Sequence, residues 1–209
     1  EHPGATIVTD SITSSGLKKF IENDFGGIHH RFKRGYKNVI NEAIRLNKEG
    51  IYAPVAIETS GHGALKENYF LDDGAYLISK ILIKMAQLKK DGRTIDSLIS
   101  KLEEPVEAAE FRMNILADDY KSFGMDVIEK MHKYINSVPG CTIEPKNYEG
   151  IRVSFNKENG DGWFLLRMSL HDPLMPLNIE SNSSGGVEKI LKIISPFLKD
   201  FKELDTNCL

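Results

Sequence analysis

The segment Val55-Ala56-Ile57-Glu58-Thr59-Ser60-Gly61-His62-Gly63 joins an apolar run to a loop dense in polar side chains. The apolar run is typical of a buried strand. The loop brings a carboxylate, two hydroxyls and an imidazole together with two glycines, which let a backbone approach a ligand closely. A carboxylate accepts hydrogen bonds from hydroxyl groups, and an imidazole donates or accepts them. The pattern predicts either a site for a polyhydroxylated ligand or a polar loop that caps a strand.

Strand and helix patterns alternate around this segment through the first half of the chain. The predicted strands are residues 5–9, 28–32 and 55–58, and the predicted helices begin near residue 15, after Arg34-Gly35-Tyr36-Lys37 and at the N-cap Asp73, with a short one at 95–102. Short connections between alternating strands and helices predict a parallel sheet with right-handed crossovers. We therefore expect a three-layer α/β domain with a parallel sheet. We expect it to be incomplete at its N-terminus, because no helix precedes the first strand.

The parallel arrangement predicts where a ligand would bind. Ligands of such sheets lie beyond the carboxyl ends of the strands. Residues 11–15, 34–37 and 58–62 each follow a predicted strand, so they are expected to meet at that one edge. The polar loop after the third strand would therefore face the loops after the other two.

The order of elements changes after Glu103-Glu104-Pro105, where we place a domain boundary. The expected domains are residues 1–103 and 104–209. In the second domain the predicted strands are 106–116, 141–143, 151–155, 163–169 and 177–180, and the predicted helices are 118–138 and 187–201. Asn159-Gly160 is a hairpin turn signal. Consecutive strands with helices at the ends predict an α+β domain with an antiparallel sheet.

Composition excludes several classes of protein. The net charge is −3, and the 27 basic and 30 acidic residues are interspersed, so no basic surface for nucleic acid is predicted. No apolar run approaches the roughly 18 to 20 residues that span a bilayer, so we expect no membrane association. Cys141 and Cys208 lie far apart and outside any metal-ligand spacing, so we expect no metal site. We expect both thiols to be reduced. A cytoplasmic protein is the expectation.

A second stretch with recognisable chemistry follows the only tryptophan, Trp163. Arg167 and Ser169 precede a tight turn. A guanidinium fork matches the geometry of a phosphate, a hydroxyl two residues on adds a donor, and a tight turn offers backbone N–H groups to the same anion. The stretch predicts a phosphate site, or else a plain hairpin with a surface arginine.

Both stretches resemble one family. Glu58-x-Ser60-Gly61-His62, with Asp72-Asp73-Gly74 opening the next helix, resembles the sugar-recognition loop in the third of the four domains of the α-D-phosphohexomutases, the phosphoglucomutase and phosphomannomutase family. The stretch from Trp163 to Pro173 resembles the phosphate loop of the fourth domain, which reads Arg-Pro-Ser-Gly-Thr-Glu-Pro in that family. The resemblance runs from about residue 5 to Glu180. Arg167, Ser169 and Pro173 are kept, whereas the other four loop positions differ: Met168, Leu170, His171 and Asp172.

The resemblance implies that the chain is the C-terminal part of an enzyme that interconverts hexose 1-phosphate and hexose 6-phosphate. It implies sugar binding by Glu58, Ser60, His62, Gly35, Tyr36 and Lys37, with His62 a candidate general acid or base, and phosphate binding by Arg167, Ser169 and His171. It also implies Mg²⁺ and a hexose 1,6-bisphosphate activator, with the metal loop and the phosphoserine loop in N-terminal domains outside this chain. The fragment alone would then be inactive.

Two other hypotheses remain open from the sequence. One is a sugar-phosphate binding module without catalysis, which the altered loop after Arg167 favours. The other is an interaction protein that kept the fold and lost the ligand. The sequence does not separate glucose from mannose, because the two sugars differ in the orientation of one hydroxyl, and it does not indicate an oligomeric state.

Overall fold

The computed structural model describes residues 2–209. The chain divides into two compact units, residues 1–103 and 104–209. The elements of the first unit are β1 (Thr6–Asp10), α1 (Ser15–Lys19) with a π-helical turn (Phe20–Asp24), β2 (Ile28–Phe32), α2 (Tyr36–Lys48), β3 (Val55–Ile57), β4 (Gly63–Leu65) with a 3₁₀ turn (Lys66–Asn68), α3 (Gly74–Lys90) and a 3₁₀ turn (Ile95–Leu98).

The sheet of the first unit has the order β2-β1-β3-β4. β1 pairs in parallel with both β2 and β3, as the sequence predicts. β4 pairs antiparallel to β3, so the sheet is mixed, and this fourth strand was not predicted. Its three residues, Gly63-Ala64-Leu65, are too few to show an alternation of apolar and polar side chains. The predicted short helix at 95–102 begins at Ile95 as predicted, but it ends at Leu98 and is a 3₁₀ helix.

Helix α2 covers one face of this sheet. Val39, Ala43 and Leu46 of the helix pack against a cluster of small and β-branched residues from the strands and their approaches: Val8, Ala53 and Ala56. Glu42, on the same helix, is buried and accepts hydrogen bonds from Nε and Nη2 of Arg45, both at 2.8 Å. His30 Nε2 of β2 lies 2.9 Å from the same carboxylate. The arginine hydrogen bonds hold the pKa of Glu42 below its usual value.

Helix α3 begins at the predicted N-cap, because Asp73 Oδ1 accepts a hydrogen bond from the Tyr76 N–H at 3.0 Å. One side of the helix carries the buried Leu88 and faces Gly63 through Leu77. The adjoining part of the same helix face exposes a stripe of large apolar side chains at positions i, i+3, i+4 and i+7: Ile78, Ile81, Leu82 and Met85. The helical spacing was predicted, but most of the apolar stripe is not part of the core.

The elements of the second unit are β5 (Glu107–Asn114), α4 (Tyr120–Ile135), β6 (Cys141–Ile143), β7 (Ile151–Phe155), β8 (Gly162–Leu166), β9 (Leu174–Ser181) and α5 (Gly186–Lys199). All neighbours in the five-stranded sheet, ordered β5-β9-β8-β7-β6, are antiparallel. One face of the sheet and the two long helices share a large core, which includes Phe164, Leu166, Leu177, Met131 and Ile190. The expected α/β domain followed by an antiparallel α+β domain is confirmed.

The strand bounds around the predicted phosphate loop need correction. β8 ends at Leu166 rather than residue 169, and β9 already begins at Leu174 rather than residue 177. Cross-strand hydrogen bonds continue past both ends, from the Arg167 N–H to the Pro176 carbonyl at 3.2 Å and from the Ser169 N–H to the Leu174 carbonyl at 2.9 Å. Arg167 and Ser169 therefore lie in a narrow hairpin loop.

Across residues 2–209, no helix is both long enough and apolar enough to cross a membrane.

Candidate functional site

The loops after β2 and β3 of the first unit meet at the carboxylate of Glu58. Its side chain is only 8% exposed. Oε1 accepts a hydrogen bond from the Gly35 N–H at 3.0 Å, and Oε2 accepts one from the Ser60 hydroxyl at 2.7 Å. The Arg34 Nε lies 3.9 Å from Oε1. Glu58 thus joins two of the loops that the sequence places at one sheet edge, and each oxygen keeps a lone pair for a further donor.

The polar loop is the tip of the β3–β4 hairpin. The Glu58 N–H donates to the His62 carbonyl at 2.8 Å, and the Gly61 N–H donates to the Glu58 carbonyl at 2.9 Å. Gly61 has φ of +92°, a conformation that favours glycine. Thr59, Ser60 and His62 are exposed while Glu58 is buried. The turn therefore presents a row of polar groups above one buried carboxylate.

Asp10, at the end of β1, supports this turn from below and was not predicted to have a role. Its Oδ2 accepts a hydrogen bond from the Thr59 hydroxyl at 2.7 Å, and its Oδ1 accepts one from the Thr59 N–H at 3.4 Å. The residue is fully buried, and that burial raises the pKa of its carboxyl, with the nearby negative charge of Glu58 acting in the same direction. The only signal in the sequence was an aspartate at the end of a predicted strand. That pattern does not indicate which residue the aspartate contacts.

The imidazole of His62 is held on two sides. Its Nδ1 lies 2.7 Å from Oδ2 of Asp72, and its ring stacks on Tyr36 with centroids 4.7 Å apart and planes 23° apart. Lys37 follows Tyr36 in the sequence, and its Nζ lies 5.9 Å from the Tyr36 ring centroid. Gly35, with φ of +109°, is the N-cap of α2 and brings Tyr36 to this place. The structure thus clusters five of the six predicted sugar-binding residues by direct contact, and places Lys37 beside them.

The predicted phosphate residues of the second unit lie together in the β8–β9 hairpin. Arg167 is buried, at 6% exposure, and its Nη1 donates to the Met168 carbonyl at 3.3 Å. The Ser169 hydroxyl accepts from the N–H groups of His171 and Asp172 at 3.4 and 3.3 Å. The exposed His171 stands at the tip of the loop. The backbone donors of the turn therefore converge on the Ser169 oxygen.

A buried cluster stands beside Arg167 on the same face of the second sheet, since alternate residues of a strand share a face. The Arg152 guanidinium carbon lies 3.5 Å from the centroid of the Trp163 ring, a cation–π geometry. The indole Nε1–H donates to Oε2 of Glu180 at 2.9 Å. Arg152 was missed by the sequence reasoning, because an arginine alternating with apolar residues is typical of a solvent-facing position.

Within residues 2–209, no group of three or more histidine, cysteine, aspartate or glutamate side chains is placed to hold a metal ion. The pairs that do form, such as Asp10 with Glu58 or His62 with Asp72, each bring two such side chains together. Residues 2–209 therefore show no cluster from which we would build a Mg²⁺ site.

Solved structures define the class of protein to which this fold belongs. A phosphoglucomutase/phosphomannomutase family protein from Burkholderia thailandensis is similar over 95% of this chain and 38% of its own, with a TM-score of 0.72 and 25% identity. The N-acetylphosphoglucosamine mutase of Aspergillus fumigatus, in complex with GlcNAc-6P and magnesium, is similar over 94% of this chain and 39% of its own. Its TM-score is 0.57, and its 12% identity shows a shared fold alone. The class is that of the sugar-phosphate mutase folds.

Sequence relatives identify the family. The phosphomannomutase/phosphoglucomutase of Pseudomonas aeruginosa is 26% identical over 207 residues, which are 99% of this chain and 40% of that protein. The phosphoglucomutase of Neisseria gonorrhoeae is 30% identical over 190 residues, 90% of this chain and 37% of that protein. The family model of phosphoglucomutase/phosphomannomutase, alpha/beta/alpha domain III, matches residues 1–105. The chain belongs to the phosphoglucomutase/phosphomannomutase family, as its sequence motifs predicted, and it spans about two fifths of the length of these relatives.

Proposed function

We propose that this chain is the sugar-recognition and phosphate-binding part of a phosphohexomutase, an intramolecular phosphotransferase that interconverts hexose 1-phosphate and hexose 6-phosphate. The observation that carries the proposal is the cluster around Glu58. One buried carboxylate, one exposed hydroxyl and one oriented imidazole lie on the β3–β4 loop, and Gly35 and Tyr36 contact them from the loop after β2. These loops lie at the carboxyl edge of a sheet, where ligands of α/β domains bind. Family membership supports the reaction class.

The sugar would bind to the first unit. The remaining lone pairs of Glu58 and the Ser60 oxygen are acceptors for neighbouring hydroxyl groups of a hexose. The His62 imidazole would hold or exchange the proton of a hydroxyl that gains or loses phosphate, which is the work of a general acid or base. Gly35, Tyr36 and Lys37 would contact the far side of the sugar. Binding by these groups chiefly positions the substrate, which is a large part of phosphoryl-transfer catalysis.

The non-transferring phosphate would bind to the second unit. The Arg167 guanidinium supplies charge and two parallel donors, and Ser169 supplies a hydroxyl. The N–H groups of His171 and Asp172, which donate to the Ser169 oxygen, belong to the same turn. His171 would add a charged donor when protonated. The negative charge of the Asp172 carboxylate repels a phosphate, so we expect the affinity for phosphate to be lower than in a loop without this carboxylate.

The cofactors belong to this proposal as well. The related Aspergillus fumigatus enzyme is described with magnesium, and a single-residue variant of it is described with glucose 1,6-bisphosphate. We propose that Mg²⁺ and a hexose 1,6-bisphosphate act in the full-length protein, with metal ligands contributed from outside residues 2–209. Mg²⁺ would neutralise charge on the transferring phosphoryl group. We also propose a cytoplasmic location, which the free thiols of Cys141 and Cys208 support.

The first experiment measures binding by the 209-residue chain. Glucose 1-phosphate and mannose 1-phosphate are titrated by calorimetry and by Trp163 fluorescence, with free glucose and inorganic phosphate as comparison ligands. We expect saturable binding of a sugar phosphate, weakened about tenfold or more by Arg167→Ala, because a hydrogen bond to a charged group is worth about 1.5–3 kcal/mol. Arg112→Ala removes an exposed arginine of the same unit and should change nothing.

The same titration tests the first unit. Glu58→Gln keeps the shape of the side chain but turns one acceptor oxygen into a donor, so affinity for the sugar phosphate should fall while inorganic phosphate binding is unchanged. Glu49→Gln, an exposed carboxylate of the same unit, is the control for charge. Unchanged affinity in both Arg167→Ala and Glu58→Gln would contradict the proposed sites.

A binding module without catalysis is the second candidate, and the loop after Arg167, which differs from the family pattern at four positions, favours it. A chimera that joins the N-terminal part of the Pseudomonas aeruginosa relative, which this chain does not cover, to this chain separates the two candidates. Conversion of glucose 1-phosphate to glucose 6-phosphate by the chimera supports the mutase, and binding without conversion supports the module.

A further inference from the structure

Two adjacent carboxylates at the start of α3 make different contacts. Asp73 caps the helix through the Tyr76 N–H. Asp72 makes no capping contact, and its Oδ2 lies 2.7 Å from His62 Nδ1. The backbone of Asp72 is fixed by an isolated β-bridge to Ala64, so its carboxylate is anchored to β4 beside the polar turn. Helix capping explains the presence of Asp73, but it does not explain the presence of Asp72.

His62 is constrained by side chains from two other segments. Asp72 holds one edge of the ring, and Tyr36 at the start of α2 covers one face. Half of the His62 side chain remains exposed, and its Nε2 has no hydrogen-bond partner among the described residues. The geometry therefore directs one ring nitrogen to the protein and leaves the other open to a ligand.

We propose that Asp72 is a positioning residue that fixes the tautomer and orientation of His62, so that Nε2 is presented to a sugar hydroxyl. The inference rests on the proposed function and adds a residue to it. In the neutral ring, a hydrogen bond from Nδ1–H to the carboxylate leaves Nε2 as an acceptor. Without that carboxylate, the proton is free to occupy Nε2, and the nitrogen that faces the ligand becomes a donor instead.

The first test reads the tautomer directly and needs no ligand. Ring ¹⁵N shifts of the 209-residue chain are recorded at mildly alkaline pH, where the ring is neutral, and His62 is assigned among the six histidines by its loss in His62→Gln. We expect the Nδ1–H form to dominate for His62 and Asp72→Ala to move the population toward Nε2–H. Asp73→Ser removes the neighbouring charge and keeps an N-cap, so it should leave the tautomer unchanged.

The second test reads the ligand. Asp72→Ala should weaken sugar 1-phosphate binding about three- to tenfold and leave inorganic phosphate binding as it was, whereas Asp73→Ser should bind as the parent does. Because Asp72 acts through His62, the double variant Asp72→Ala/His62→Gln should bind no more weakly than His62→Gln alone. Additive losses would overturn the proposal.

The two tests separate this inference from the proposed function. Failure of the parent chain to bind any sugar phosphate would count against the function, and the ring ¹⁵N shifts would still decide whether Asp72 sets the tautomer. A mixed tautomer in the parent, or one that Asp72→Ala leaves unchanged, would overturn the positioning role even if the sugar phosphate binds tightly.

Discussion

Asp10 is a carboxyl group whose surroundings oppose its charge. It lies fully buried beneath the Glu58 turn, and its two oxygens accept hydrogen bonds from Thr59. Burial and the neighbouring Glu58 raise its pKa in the folded chain above the usual value of about 3.9. Its contribution to folding is therefore complete below the unfolded pKa and is lost as the pH rises through the folded pKa.

This sign gives a prediction for Asp10→Asn. The free energy of unfolding of the parent chain minus that of the variant should decrease as the pH rises from below the usual aspartate pKa through the raised pKa of Asp10. Above that pKa the difference should be constant. Far-UV circular dichroism during urea unfolding at a series of pH values measures the difference. Glu22→Gln, an exposed carboxylate of the same unit, controls for charge. A difference that increases with pH would show that the folded state favours the charged carboxylate.

Side chains that act locally were predictable from sequence, and those that act across the fold were not. The Asp73 cap could be read from residues that lie next to it. Glu58, Ser60 and His62 were singled out because a strand ended where several polar groups began. Asp10 meets Thr59 across 49 positions of sequence, and Asp72 meets His62 only because β4 turns the chain back. No local pattern specifies such pairs.

At the scale of elements, Gly150 governs how closely the start of β7 approaches the end of β8. Its φ is +57°, and a Cβ built on it would lie 2.0 Å from the Leu166 carbonyl oxygen and 2.7 Å from the Arg167 Cα. Because both atoms belong to the backbone, a side chain here must displace the strand itself. Gly150 therefore fixes the base of the hairpin that carries Arg167.

Gly150→Ala should destabilise the second unit by about 3 kcal/mol or more, since backbone strain and a steric clash act together. Gly185→Ala is the matched control: it has φ of +73° in the same unit and nothing within 4 Å of the added Cβ, so strain alone should cost it only about 1 kcal/mol. Urea unfolding followed by Trp163 fluorescence measures both. Equal losses would mean that backbone strain alone accounts for the requirement for glycine.

The alternation of strands and helices could be predicted because each predicted element has its own periodic pattern of apolar side chains. β4 was missed because three residues carry none, and its absence hid the fact that the polar loop is a hairpin tip. The loop between β8 and β9 was predicted three residues too late, at 170–176 rather than 167–173, since Arg167 and Ser169 continue the alternation of the strand. Cross-strand hydrogen bonds, which sequence does not display, continue beyond the assigned ends.

At the scale of the whole molecule, the two units have unequal cores. The first unit buries a small cluster in which three of the six members are alanines. The second buries a larger cluster dominated by leucine, isoleucine, methionine and phenylalanine. Hydrophobic stabilisation grows with the apolar area removed from water, so the second unit should be the more stable.

The chain should consequently unfold in two steps in urea. Far-UV circular dichroism reports both units, and its first transition should have a midpoint about 1 M or more below that of Trp163 fluorescence, which reports the second unit alone. Such a separation corresponds to a few kcal/mol at the slopes usual for domains of this size. Coincident transitions would mean that the units unfold cooperatively.

The exposed side of α3 influences how the chain behaves as a solute. Large apolar side chains form one continuous stripe there, while the net charge of −3 supplies weak repulsion between molecules. Sulfate and similar salts strengthen the association of apolar surfaces because they are excluded from protein surfaces. Salting-out and retention on a hydrophobic resin should therefore be sensitive to polar substitutions in this stripe, which average composition does not reveal.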